Sequence, residues 1–299
     1  MIRHVLFAAG SALLLAACGG PAPDSSPTEH APAGADQSTA APTSGAADRA
    51  ATALDAALSG AWRDPANVAR DAWRHPRETL EFFGVTPEQT VLEIYPGGGW
   101  YSEILVPLLR ERGHYIGALV DPASASNERA QAFYGEQGAN LRAKFAAHPE
   151  VYGEPELIEI DLAAPDFGAP GSVDTVLTFR NVHNWLMAGN AEAMLKGFYE
   201  ALKPGGVLGV VEHRAAAAVP EGDRSGYVGQ DQVIALAEAA GFVLEAASEI
   251  NANPADTRDH EAGVWSLPPT LRLGEKDREK YQAIGESDRM TLKFRKPAE

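Results

Sequence analysis

Val91 to Leu109 reads VLEIYPGGGWYSEILVPLL, and no other stretch restricts the fold of this chain as closely. Val91, Leu92 and Ile94 form a short apolar run of strand character. A proline and three glycines interrupt it, and Ile104, Leu105, Leu108 and Leu109 then recur at helical spacing. Glycine accepts backbone angles that other residues avoid and lets another group come close. The start of the following helix offers unpaired N–H groups. A strand, a glycine turn and a helix in this order make a cradle for a ligand.

The rest of the chain repeats the alternation. Helical lead-ins at Asp48 to Ser59 and Pro65 to Trp73 precede strands at Thr90 to Tyr95, Tyr115 to Val120, Leu157 to Leu162, Val173 to Phe179, Val207 to Glu212 and Phe242 to Ile250. Helices are expected between them at Trp100 to Arg112, Asn127 to Ala147, Ala191 to Leu202 and Asp231 to Ala240, and DRMTLKFR (Asp288 to Arg295) alternates as an edge strand does. Strands alternating with helices predict a mostly parallel sheet covered on both faces. In such sheets ligands sit at the carboxyl ends of the strands, where the strand order reverses.

The N-terminus has a different character. Arg3 and His4 precede an apolar core, Val5 to Leu15, that is too short to span a bilayer and ends in Leu15-Ala-Ala-Cys18. This pattern resembles a bacterial lipoprotein signal, which predicts removal of residues 1–17 and a lipid anchor on Cys18. Gly19 after the cysteine favours the outer membrane of a Gram-negative-type envelope, with the protein facing the periplasm. Residues 18–47 hold no apolar residue larger than alanine apart from that cysteine and read as a tether. Residues 48–299 then form one domain. Cys18 is the only cysteine, so the domain has no disulfide and no thiol nucleophile. The formal net charge of −16 argues against nucleic acid as a partner and leaves the lipid anchor as the only membrane contact expected.

Glu93-x-Tyr-Pro-Gly97-Gly98-Gly99, Asp121, Val173-Asp174-Thr-Val and Leu202-Lys-Pro-Gly-Gly206 stand in one order along the chain. That order resembles the class I S-adenosylmethionine-dependent methyltransferases, and within them a group of exported bacterial proteins. The resemblance implies a Rossmann-like α/β fold with seven strands, mostly parallel, an antiparallel last strand and helices on both faces. It also implies S-adenosyl-L-methionine as cofactor and a small molecule as methyl acceptor. Glu93 matches the acidic residue that reaches toward the methionine amine. Gly97 and Gly99 match the glycines that make room for the adenosine, Asp121 the ribose ligand, and Asp161 the residue facing the adenine amine. Tyr95 stands at the place of the first glycine, in the cofactor site, so the direction of its ring decides whether the nucleoside fits.

Methyl transfer to oxygen or nitrogen needs a base, and the end of the fourth strand, Phe179-Arg-Asn-Val-His-Asn-Trp185, supplies candidates. His183 is the first catalytic candidate, since imidazole titrates near neutrality. Asn181 belongs to a run resembling the L-R-N-V segment of quinone-biosynthesis methyltransferases and is expected to line the cofactor site. Trp185 is expected to wall the acceptor. Glu212-His213-Arg214 ends the fifth strand, with His213 the second base candidate and Glu212 and Arg214 expected to pair with each other or with loop residues.

The segment 251–287 is too long for a plain connection between paired strands. Trp265 within it reads either as part of a lid over the crevice or as padding. Opposite charges from Glu275 to Lys280 predict a solvated helix. Asp256-Thr-Arg-Asp-His260-Glu lacks periodic ligand spacing, so no metal is expected and the group is expected to be solvated. A rival reading keeps the fold but makes the chain a non-catalytic ligand-binding lipoprotein of the envelope.

Overall fold

The computed structural model describes residues 44–298. The signal segment 1–17 and the anchor at Cys18 lie outside the described residues, and a helix, Ser44–Leu58, begins inside the stretch read as tether. Among the described residues no helix is long and apolar enough to cross a membrane.

Eight strands form the sheet: β1 (Thr90–Ile94), β2 (His114–Val120), β3 (Glu156–Ile160), β4 (Val173–Phe179), β5 (Leu202–Ala215), β6 (Val228–Gly229), β7 (Val243–Ser248) and β8 (Arg289–Arg295). Their order is β3-β2-β1-β4-β5-β8-β7, with β6 pairing the far end of β5. The neighbours from β3 to β5 run parallel, whereas β8 is antiparallel to both β5 and β7. The expected seven strands are all present, and the eighth is the two-residue β6.

Alternation along each strand divides the apolar residues between two layers. Leu92, Val176 and Val210 face one way, against the helices Ala191–Ala201 and Gln230–Ala239. Val91, Leu177 and Val211 face the other, against the helices Pro76–Phe83 and Ser102–Leu109. Gly209 matters here, because a Cβ on it would lie 2.8 Å from the Phe83 ring and from Leu177. Its missing side chain lets Pro76–Phe83 lie flat on β5.

Asp174 has a structural task at the amino end of the sheet. Its carboxylate accepts from Thr90 N–H (2.8 Å) and pairs with Lys203 Nζ (2.7 Å), pinning the starts of β1 and β5 to β4. The lead-in read as one helix is two short ones, Pro65–Val68 and Asp71–Arg74, stopped at His75, whose φ of 40° is incompatible with continuing the helix into Pro76. A helix, Val182–Ala188, follows β4 directly, where no helix is expected from the sequence. The helix expected from Glu275 starts at Arg278, with Asp277 left-handed before it.

Candidate active site

The chain reverses strand order at β1, between β2 and β4, and the crevice opens there at the carboxyl ends of β1, β4 and β5. Its volume is about 500 Å³. Gly97 and Gly98 form one wall, Phe133 and Tyr134 of the helix Glu128–Ala147 a second, and Trp265 with Pro268 a third.

The glycine turn has two parts with different reasons for being glycine. A Cβ on Gly98 would meet nothing within 4 Å, and one on Gly97 (φ 60°) only the Tyr95 carbonyl at 4.0 Å, so both face open crevice. Gly99 (φ 77°) is a packing glycine, since its Cβ would lie 2.7 Å from Leu141. Tyr95 itself is left-handed (φ 48°), a conformation costly for a residue with a side chain. Its ring packs edge-on to Trp185 with centroids 6.2 Å apart, and its hydroxyl lies 3.7 Å from Met194 Sδ. The ring thus turns toward the helix Ala191–Ala201 and leaves the two open glycines uncovered.

Glu93 is buried and points to the helix start, not into the crevice. Its carboxylate accepts from Ser102 Oγ (2.7 Å) and Tyr115 OH (2.8 Å). Burial raises its pKa to about 7, although both hydrogen bonds and Arg180 oppose the rise. Asp121 and Asp161 end β2 and β3 outside the crevice lining. Each accepts from backbone N–H groups of its own loop, Ala123 (2.9 Å) and Ala163 (2.7 Å) respectively.

The end of β4 meets the end of β5 through a buried carboxylate. Glu212 Oε1 accepts from His183 Nδ1 (3.0 Å) and from the His213 N–H (2.7 Å), while Oε2 accepts from the His183 N–H (3.2 Å). Of the two expectations for Glu212 and Arg214, pairing with each other fails and pairing outside the strands holds for Arg214, which meets Glu249 and Asp288, while the parallel register of β4 and β5 brings Glu212 to His183. With Nδ1 donating to the carboxylate, Nε2 of His183 keeps its lone pair and is the nitrogen left for chemistry. His183 stands between the main crevice and an adjoining cavity of about 220 Å³. His213 has Nδ1 2.5 Å from Ser287 Oγ. Burial, with His183, Arg180, Arg289 and Arg74 nearby, holds its pKa well below the usual imidazole value.

His183, Glu212 and His213 each offer a ligand atom within 4.8 Å of the others, a donor set that can hold a cation. The carboxylate, however, is already engaged by three donors, and the surrounding arginines oppose a dication. Asp256 and His260 are likewise corrected from a solvated loop to a buried network, 2% and 8% exposed. The Asp256 carboxylate accepts from Tyr227 OH (2.9 Å), the Asp288 N–H (2.8 Å) and the Arg258 N–H (2.9 Å), and lies 2.8 Å from His260 Nε2. The network ties the segment 251–287, which carries Trp265, to the body.

Charge in the crevice is unbalanced. Glu286 pairs with Arg70 (2.6 Å), Arg74 (3.1 Å) and Arg289 (3.0 Å). Its burial favours protonation, but Arg74, Arg289, Arg70 and Arg180 outweigh that and hold its pKa down to about 2. Arg180 makes no side-chain hydrogen bond or ion pair among the described residues, although it lines the crevice and its backbone is left-handed (φ 62°). Burial, then repulsion from Arg289, lowers its pKa to about 10.

The structure therefore brings Tyr95, Gly97, Asn181, His183, His213 and Trp265 together around one crevice. Asn181 donates to the Ile94 carbonyl (3.0 Å) and Thr178 Oγ1 (3.2 Å), clamping β1 to β4. Glu93, Gly99, Asp121, Asp161 and Trp185 lie outside the lining, and Trp185, 1% exposed, is core against Phe198. Sequence reasoning missed Glu212 as partner of His183, and missed Arg70, Arg74, Arg180 and Glu286. Arg180 stood in the singled-out FRNVHNW run, but nothing marked it as unpaired.

No protein-family model and no curated protein matches the chain. Among solved structures, the fold is similar to a SAM-dependent methyltransferase from Aquifex aeolicus (14% identity, TM-score 0.51, 78% of this chain and 94% of that one). It is also similar to the [4+2]-cyclase SpnF (16% identity, TM-score 0.54, 84% of this chain and 94% of that one). At such identities the likeness is one of fold. This chain has the Rossmann-like class I methyltransferase fold.

Proposed function

We propose that this chain is an S-adenosylmethionine-dependent methyltransferase in which His183, oriented by Glu212, removes a proton from a small acceptor. The carrying observation is the buried Glu212 carboxylate holding His183 at a crevice that an open glycine turn also lines. Gly97 and Gly98 fit a nucleoside cofactor, because no side chain covers them and the Tyr95 ring turns aside. S-adenosylmethionine bound there would supply an activated methyl group. The protein's part is to hold the acceptor in line, exclude water with the Trp265 wall and take the proton at His183 Nε2. Asp121 and Asp161 stand at the ends of β2 and β3, and their roles toward ribose and adenine belong to the proposal. Since a protein with a similar fold is a cyclase, fold alone does not choose the reaction. The base at the crevice is what favours proton removal from an acceptor.

Isothermal titration with S-adenosylhomocysteine tests the reading. A one-to-one heat with a raised melting temperature supports it, and no heat with no thermal shift overturns it. The location is part of the same proposal: a lipid anchor on Cys18, facing the periplasm. Cys18→Ser is expected to move the protein from the membrane to the soluble envelope fraction, and an unchanged distribution would refute the anchor.

A further inference from the structure

Crevice arginines stand out against an acidic chain. Arg70, Arg74 and Arg180 line the crevice, Arg289 at the start of β8 joins Arg70 and Arg74 on Glu286, and Glu286 is the one carboxylate among the described residues that pairs with any of the four. Arg70, Arg74 and Arg289 are spent on that carboxylate, while Arg180 contacts no acceptor among the described residues. Arg180 is half-buried and keeps its guanidinium open to the crevice, where its charge can meet an anion. The three donors already on Glu286 fix the walls, and Arg180 is left as the planar fork that takes an oxyanion.

The cofactor does not supply enough negative charge to account for this. S-adenosylmethionine has a sulfonium, an ammonium and one carboxylate, so it brings net positive charge into a crevice that is already cationic. The crevice lining also includes Trp265 and the exposed Phe133, which suit an apolar body. We propose that the methyl acceptor is a small anion with an apolar body, and that Arg180, walled by Arg70 and Arg74, binds its carboxylate or phosphate group. The inference rests on the methyltransferase reading for the word acceptor, but the oxyanion subsite can be tested without it.

Inorganic phosphate and benzoate are titrated separately into the full mature chain, alone and with saturating S-adenosylhomocysteine. The same is done with Arg180→Met and Arg180→Lys, with thermal melts to show that both variants fold. A lost charge-assisted contact corresponds to a loss of about 10- to 100-fold. The expected result is binding of at least one anion beside the nucleoside, weakened by about that factor in Arg180→Met and partly restored in Arg180→Lys. S-adenosylhomocysteine affinity should change little in either variant. Displacement of the anion by the nucleoside would assign the arginines to the cofactor carboxylate and overturn the proposal. So would equal anion affinity in Arg180→Met, or no binding of either anion by the wild-type chain. If the nucleoside fails to bind while the anion binds through Arg180, the cofactor reading falls and the oxyanion subsite stands.

Discussion

Arg180 and Arg214 lie at the ends of adjacent strands, and their surroundings are opposites. Arg214 makes paired contacts to Glu249 (2.7 and 2.6 Å) and to Asp288 (2.9 and 3.0 Å). These two carboxylates, Glu249 first, raise its pKa above the ordinary arginine value. Asp288 is in turn held by Arg258 (2.8 Å) and the Asn253 N–H (2.8 Å), and Asp256 completes the cluster with its four contacts. On the crevice side the excess is cationic and Arg180 goes unpartnered. The closed cluster fastens the segment 251–287 to the sheet, whereas the open one is where we propose that an anion binds. Paired charge fastens the fold here, and the proposed oxyanion subsite rests on the guanidinium left without a carboxylate.

Substitutions can break that contrast. The largest loss of stability is expected for Asp256→Ala, which strands buried donors of the closed cluster, on the order of 3–5 kcal/mol in urea unfolding. A loss below about 1 kcal/mol would show that the cluster is not structural. Glu286→Gln is expected to cost about 3 kcal/mol at pH 7, since its pKa of about 2 lies below the ordinary 4.5. That stability is fully present above pH 4.5 and is lost as pH falls toward 2, so wild type and variant should converge in acid.

Glu93 has the opposite sign. Its pKa of about 7 means that its contribution falls as pH rises from 4.5 to 7, by at most about 3 kcal/mol, and is flat above. Glu93→Gln should remove that slope from a stability-versus-pH series, and an unchanged slope would place the titration elsewhere. Arg180→Met should have the smallest effect, within about 1 kcal/mol, because the group has no partner to lose. A loss as large as that of Glu286→Gln would mean that Arg180 is architectural and would erase the contrast.

The parts of the fold governed by local pattern were legible in the sequence. Val173 to Phe179 is the strand its apolar run predicted, and the helix from Ala191 starts where its spacing began. Val182–Ala188 was not legible, since seven residues barely complete two turns and Arg180-Asn181 look like turn formers. The glycine turn was visible, but one letter stood for two jobs: Gly98 is open to the crevice, and Gly99 is fitted against Leu141 on a distant helix. His183 was visible as a candidate, while its partner was not. Glu212 lies far along the chain, and only the register of β4 on β5 joins them. Likewise, Arg70 and Arg214 look alike in sequence, because pairing depends on which carboxylates the fold carries to them.

β7 and β8 are neighbouring antiparallel strands, and the chain between them leaves the sheet, reaches the crevice and returns. That excursion contributes Trp265, Pro268, Glu286 and Ser287, while the glycine turn comes from Gly97 to Gly99, far earlier in the sequence. The Trp265 wall and the glycine wall of the crevice are therefore inherited as separate blocks of text. A lineage, or a designer, can exchange 251–287 as one cassette and alter what the crevice accepts without rewriting the turn that opens it.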